Sequence, residues 1–377
     1  MRKEKIKTYL IQFFLFVATL TTTTLAGYTF TSSKSDSFEA ILQGLYFSIP
    51  FLGILTIHEF GHYITARLYK VKVTLPYFIP FITFIGTLGA FIRIKSKLGS
   101  KKEIFDIGIA GPLAGFVAAL ILLFYGFTHL PSREHIFTIH PEYEQYGLEY
   151  EKFVYTQKNP DPNVVNYKLG DNLLFKFFKE YVAPDPLAVP NAYELIHYPF
   201  LFAGFWALFF TALNLLPIGQ TDGGHILYGL VGAKRQRQIT PVIFTLFVFI
   251  GGLGIFSNDN VFGSYVPLGS FENFIGFAPF YLFILYVIFS KVSESKVTNF
   301  LIATVIFTLQ FFLSIMWPTI QGAIGYLVFA LLFGRFLGIY HPPAEIEEPL
   351  STSRKILGWV ALIIFIICFS PQPLMIE

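Results

Sequence analysis

Two histidines four residues apart, with a glutamate beside the first, carry the chemistry that can be read most directly from this chain: His58-Glu59-Phe60-Gly61-His62. On an α-helix, residues four apart share a face, so both imidazoles can turn a ring nitrogen toward one metal ion. Glu59, one residue round, then stands where it can take a proton from a water molecule at that ion. A catalytic zinc needs three protein ligands and an open fourth position. The pair supplies two, and the candidates for the third are Asp222 and His225. The competing reading is a pair of interior histidines bonded to backbone carbonyls, which leaves a glutamate at the same depth unexplained. The other histidines, His129, His135, His140, His197 and His341, fall at or near expected interfaces and read as solvated residues or structural hydrogen bonders.

The element that must hold this motif is a membrane helix. Of 377 residues, 54% are hydrophobic, only 14% are charged and 46 are Phe, with a mean hydropathy of +0.59. Globular proteins carry about 25% charged residues. So much apolar surface cannot be hidden in a water-soluble core of this size, which excludes a soluble enzyme and a disordered chain. The net charge of +3 comes from Lys and Arg scattered in short loops, so no nucleic-acid partner is expected. The single cysteine, Cys368, excludes an internal disulfide and any cysteine-based metal cluster.

Apolar runs give candidate spans near Leu10–Thr29, Ile41–Leu68, Ile104–Thr128, Tyr198–Val231, Thr240–Phe256, Phe274–Phe289, Phe300–Met316, Ile320–Leu337 and Ile356–Phe369. The expected fold is therefore an all-α polytopic membrane protein with about eight or nine transmembrane helices. A cytoplasmic N-terminus puts most of the 27 Lys and Arg on one side: Arg2 to Lys7, the run from Arg67 to Lys102, Lys234 to Arg237, Lys291, Lys296, Arg335, Arg354 and Lys355. The long segment from Leu130 to Leu195, richer in acidic than basic residues, then faces outward.

From Ile196 to Ala233 the sole charged residue is Asp222. As one helix this stretch would be about 57 Å long, against a hydrocarbon core of about 30 Å. Pro217, Gly219, Gly223 and Gly224 are placed to break it. A break at membrane depth needs cover from protein or a water-filled cavity, which sets Asp222 inside the bundle and in need of a partner. Upstream, Thr87–Lys95 alternates imperfectly between glycines, consistent with a short strand. Gly111 and Gly115 form a small-residue face suited to helix packing.

These stretches together resemble the site-2 protease family of intramembrane zinc metallopeptidases. His58–His62 matches the family's H-E-x-x-H, and Asn214-Leu215-Leu216-Pro217-Ile218-Gly219-Gln220-Thr221-Asp222-Gly223 matches its N-x-x-P-x-x-x-x-D-G. Gly86-Thr87-Leu88-Gly89-Ala90-Phe91-Ile92 is similar to its membrane-embedded strand, and Ala110-Gly111-Pro112 also recurs there. The resemblance covers roughly Gly53–Gly232 and implies one zinc per chain held by His58, His62 and Asp222. It implies Glu59 as the catalytic base, Asn214 as the group that steadies substrate or oxyanion, and Gly86, Thr87, Gly89, Ala90 and Phe91 as substrate contacts. The implied partner is a membrane protein with a transmembrane helix, cleaved in the bilayer. No PDZ-like domain is evident, and the extra C-terminal spans with His341-Pro342-Pro343 resemble a bacterial and plastid subgroup. No transit peptide precedes the first span, so the expected location is a bacterial plasma membrane, with the active site opening to the cytoplasm.

The expected organisation is an anchor and outer turn over 1–40, a first catalytic part over 41–129, an extracytoplasmic insertion over 130–195, a second catalytic part over 196–238, and C-terminal helices over 239–377. Two other function classes compete: a catalytically silent scaffold, and a metal or solute transporter, which would also place His and Asp beside a broken helix. The substrate and the oligomeric state are not encoded in any motif of the chain.

Overall fold

The structure is a computed structural model, and it describes residues 2–31, 37–82, 85–155, 167–256, 271–317 and 319–376. It is mostly helical. Among the described residues, four helices are long and apolar enough to cross a membrane, Glu4–Phe30, Phe38–Leu68, Lys101–Thr128 and Lys296–Met316, and Pro199–Leu215, Gly276–Phe289 and Gly325–Leu337 are shorter apolar helices. Large side chains point outward along the long helices: Phe13, Phe14 and Val17 on the first, Val117, Ile121 and Phe124 on the third, Leu301, Val305 and Phe312 on the fourth. Contiguous apolar faces of this kind are stable against lipid tails and costly in water.

The chain divides into two compact units, 1–98 with 106–213 and 364–369, and 99–105 with 214–363 and 370–377. In the first, the Arg2–Thr31 helix packs closely on the start of the Leu45–Leu68 helix. A Cβ on Gly44 would stand 2.0 Å from the Thr24 carbonyl, so only glycine permits that approach. Thr24 and Ser48 hydroxyls share a hydrogen bond of 2.9 Å beside it. Two strands, β1 (Tyr77–Pro80) and β2 (Thr87–Phe91), form an antiparallel hairpin with an irregularity between Phe78 and Pro80. Gln12 donates to the Leu75 carbonyl at 2.6 Å and Thr22 to the Gly86 carbonyl at 2.6 Å, fixing the hairpin to the first helix.

The expected strand is therefore present, and β1 joins it as a second strand that the sequence pattern did not show. The segment 130–195 folds into short helices, among them His135–Ile139 and Leu173–Tyr181, the latter capped by Asn172, whose side chain accepts from the Phe175 N–H at 2.8 Å. Residues 156–166 of that insertion lie outside the described residues.

The Pro199–Leu215 helix ends where the break was expected, and the next helix starts at Asp222. In the second unit, Thr221 caps that helix, its hydroxyl accepting from the Gly224 N–H at 3.0 Å. Gly219 takes a φ of +57 and donates its N–H to the Ile339 carbonyl at 2.8 Å. The break thus lies at 216–221, and two of the four expected breakers, Gly223 and Gly224, sit in the first turn of the following helix instead. Their role is steric: a Cβ on Gly223 would stand 1.9 Å from the Leu215 carbonyl. A second interruption falls at Gly232, with φ 76 and ψ 168, just before the basic run Lys234–Arg237.

The Ile320–Leu337 candidate begins as helix only at Gly325, because Gly322 is held in irregular backbone by an N–H bond to the Leu253 carbonyl at 2.9 Å. Three C-terminal helices are joined by a buried polar network. Tyr281 donates to Gln310 Oε1 at 2.7 Å, and Gln310 Nε2 donates to the Val248 and Phe249 carbonyls at 3.1 and 3.0 Å.

Candidate metal centre

The Leu45–Leu68 helix places His58, Glu59 and His62 together and in the dark: they are 5%, 6% and 6% exposed. The two Nε2 atoms lie 3.1 Å apart. His62 Nδ1 lies 2.7 Å from the Ile107 carbonyl, so this nitrogen carries the proton and donates it, leaving the Nε2 lone pair turned toward His58. A Glu59 carboxylate oxygen lies 4.0 Å from His58 Nε2. Two imidazole nitrogens converging in this way, one with its tautomer fixed by a carbonyl behind it, suit a borderline metal such as zinc.

The helix from Lys101 to Thr128 forms the back wall of the pair. A Cβ on Gly111 would come within 2.1 Å of His62 Nε2, and one on Gly115 within 3.1 Å of His58 Cβ. In the reverse direction a Cβ on Gly61 would reach 2.5 Å from the Ala110 carbonyl. The small-residue face read as helix packing is therefore the surface against which both rings are set. The sequence signal was the Gly111–Gly115 spacing itself, and what it packs against could not be read from it. At the end of the histidine helix, the Tyr69 hydroxyl donates to the Asp106 carboxylate.

Of the expected strand contacts, Thr87 and Gly89 are buried, Ala90 is half-buried and Phe91 is exposed. Thr87 Oγ1 donates to the Ile79 carbonyl at 2.8 Å and accepts from the Gly89 N–H at 3.0 Å, which stiffens the strand from within. Gly86 and Gly89 take φ of +81 and +105, conformations that favour glycine. The sheet contains only β1 and β2 among the described residues, so the outer edge of β2 carries no strand.

In the second unit, Asn214 lies in the last turn of the helix that ends at Leu215, and Asp222 is the first residue of the helix capped by Thr221. Both are half-buried. His225, one turn on, has Nδ1 2.8 Å from Nε2 of His341. The ring of His341 stacks on Tyr228 at a centroid distance of 4.3 Å, and the Tyr228 hydroxyl donates to Glu347 at 2.7 Å. His341 was expected to be a solvated residue or a hydrogen bonder. It is the latter, buried at 3% exposure, with burial lowering its pKa from the ordinary histidine value.

Residues 46–256, more than half of the chain, match peptidase family M50. The chain belongs to peptidase family M50. This is the site-2 protease family that the two motifs resemble. The matched region takes in the histidine pair, the hairpin, Asn214 and Asp222. Among curated proteins the M50 chain is 27% identical over 230 residues to the probable zinc metalloprotease EGY2, chloroplastic, of Oryza sativa subsp. indica, covering 61% of this chain and 36% of that protein. It is 33% identical over 208 residues to the probable zinc metalloprotease EGY1, chloroplastic, of Oryza sativa subsp. japonica, covering 54% and 30%. The Arabidopsis thaliana EGY1 protein is 33% identical over 181 residues, covering 48% and 28%. The chain thus spans about a third of the length of the curated relatives it matches. No solved structure matches it.

Proposed function

We propose that this chain is an intramembrane protease that hydrolyses peptide bonds within or near the transmembrane segments of membrane proteins. The observation that carries the reading is the convergence of His58 and His62, Nε2 to Nε2 at 3.1 Å, beside Glu59 on a helix apolar enough to cross a membrane. His58, His62 and Asp222 are the three metal ligands in this reading, Asp222 being preferred to His225 as the carboxylate that the broken segment sets at membrane depth. When bound, zinc polarises the scissile carbonyl and lowers the pKa of a water molecule. Glu59 accepts that water's proton and passes it to the leaving amine. The Asn214 amide donates a hydrogen bond to the substrate carbonyl as it gains negative charge.

A transmembrane helix hides its own amides and must be unwound before cleavage. β2 offers an extended edge on which an unwound segment can pair, with Gly86, Thr87, Gly89, Ala90 and Phe91 as contacts. The placement of basic residues supports a cytoplasmic N-terminus and access to the site from the cytoplasm. His58 is about ten residues from the basic end of its helix, or about 15 Å deep. Eight or nine membrane crossings, a bacterial plasma membrane, and a catalytic core over 41–129 and 196–238 interrupted by the insertion 130–195 complete the proposal.

The test compares wild type with Glu59→Gln, in detergent and in vesicles, using a single-span reporter substrate and metal analysis. Cleavage by wild type, with Glu59→Gln retaining zinc and cleaving nothing, supports the reading. A wild-type protein that moves zinc across the vesicle without cleaving would overturn it in favour of a transporter. Zinc binding with neither cleavage nor transport would leave a scaffold.

A further inference from the structure

A second cluster of ligand-type side chains lies in the first compact unit, with none of its members on the histidine helix. We propose that His140, Glu194 and His197 form a second metal site, taking a divalent cation of the zinc class through two imidazoles and one carboxylate. One ligand atom from each residue lies within 4.8 Å of the other two. His140 Nε2 and His197 Nε2 are 3.2 Å apart. Glu194 Oε2 stands 3.5 Å from His197 Nε2 and 3.9 Å from His140 Nε2.

The proton inventory makes this arrangement informative. His197 Nδ1 faces the Phe30 carbonyl, and His140 Nδ1 faces a Glu142 carboxylate oxygen at 3.1 Å. Both acceptors hold the ring proton on Nδ1, which leaves two Nε2 lone pairs pointing at each other. Glu194 is 1% exposed. Its Oε1 accepts from the Tyr155 hydroxyl, while its Oε2, aimed at the two imidazoles, has no hydrogen-bond partner. Three atoms of acceptor character converge, and at low dielectric such a set calls for a shared proton or a cation between them; a single cation satisfies all three at once.

The local backbone is built to hold this geometry. Glu194–His197 is a single 3-10 turn, in which residues three apart eclipse, so Glu194 and His197 project to one side. The Asn191 side chain accepts from the N–H groups of Tyr193 and Glu194 at 2.9 and 3.0 Å and fixes the entrance to the turn. His140 caps the end of the His135–Ile139 helix, and its ring stacks on Tyr143 at 4.5 Å. Two histidines and one carboxylate leave a fourth position open. The ion would tie the start of the insertion to its end and, through His197, to the first helix. None of the three residues has a part in the proposed peptide hydrolysis.

The test is zinc stoichiometry of the full chain in detergent, loaded with zinc and freed of excess by gel filtration, for wild type, His62→Ala, His140→Gln and the double variant. The expected contents are two, one, one and none per chain, and the cobalt-loaded His62→Ala protein should show the visible absorption of a low-coordinate ion. Retention of one zinc by His140→Gln also reports that this variant folds. Equal zinc in wild type and His140→Gln, or a His62→Ala protein that folds and binds neither ion, overturns the second site. Because the His62→Ala arm removes only the family site, failure there is distinguishable from failure of the protease reading.

Discussion

Gly111 lies against the imidazole of His62 so closely that a Cβ added to it would stand 2.1 Å from Nε2, the nitrogen that faces His58. No real contact is that short, and His62 cannot retreat without leaving the Ile107 carbonyl. Gly111→Ala should therefore remove zinc and cleavage together in a protein that still folds, whereas Gly115→Ala, whose Cβ would meet His58 Cβ at 3.1 Å, should weaken zinc by no more than about 10- to 100-fold, the range of a supporting-shell change. Metal analysis with circular dichroism on both variants checks it. Full zinc in Gly111→Ala would mean that the back wall does not set the ring.

Asp222 and His225 compete in sequence for the third ligand position and have different neighbours in the fold. Asp222→Ala should lower zinc affinity by more than about 100-fold, beyond what loss of a supporting residue costs. His225→Ala should leave zinc in place and lower thermal stability, since it breaks the contact with His341. Zinc retained in the first variant and lost in the second would exchange their roles.

Thr87→Val keeps the volume of a 1% exposed side chain and removes the hydroxyl that links Ile79 to Gly89. Leaving the Gly89 N–H unpaired costs about 1–3 kcal/mol. The variant should retain full zinc while cleavage of a single-span reporter falls by about 10-fold or more. A thermal melt with a cleavage assay separates this from metal loss, and unchanged cleavage would remove β2 from substrate handling.

How much of this was legible in the sequence varies by element. The histidine pair was, because helical spacing is local and a glutamate between two histidines in an apolar run has few other readings. The break before Asp222 was, because no helix of that length fits a bilayer. β1 was hidden: Pro76 and Pro80 bracket Tyr77-Phe78-Ile79, an unbroken apolar run with none of the alternation of a half-buried strand. The Ile107 carbonyl could not be found at all, since a backbone acceptor leaves no trace in residue type. His140 and the turn at 194–197 are brought together by tertiary folding across the insertion, and no spacing rule reaches that far.

A pH effect should arise from the chain His225, His341, Tyr228. His341 Nδ1 donates to the Pro342 carbonyl at 2.6 Å, so its Nε2 accepts from His225 only while the ring is neutral. Burial lowers its pKa below the ordinary value of 6.5. The unfolded chain then binds the proton more readily, so this stabilisation is complete above about pH 6.5 and declines as the pH falls toward the folded value. Melting temperature in detergent should drop between pH 7.5 and about 5 in wild type and less steeply in His341→Gln. Parallel slopes would assign the drop to other groups.

In the hairpin of β1 and β2, the lateral edge of β2 has no partner strand among the described residues. Such an edge reads amide groups, and amide groups are the same in every polypeptide. Selectivity at this step would then depend on how readily a client helix unravels. Glycine, proline or serine within its span would matter more than the side chains flanking the cut.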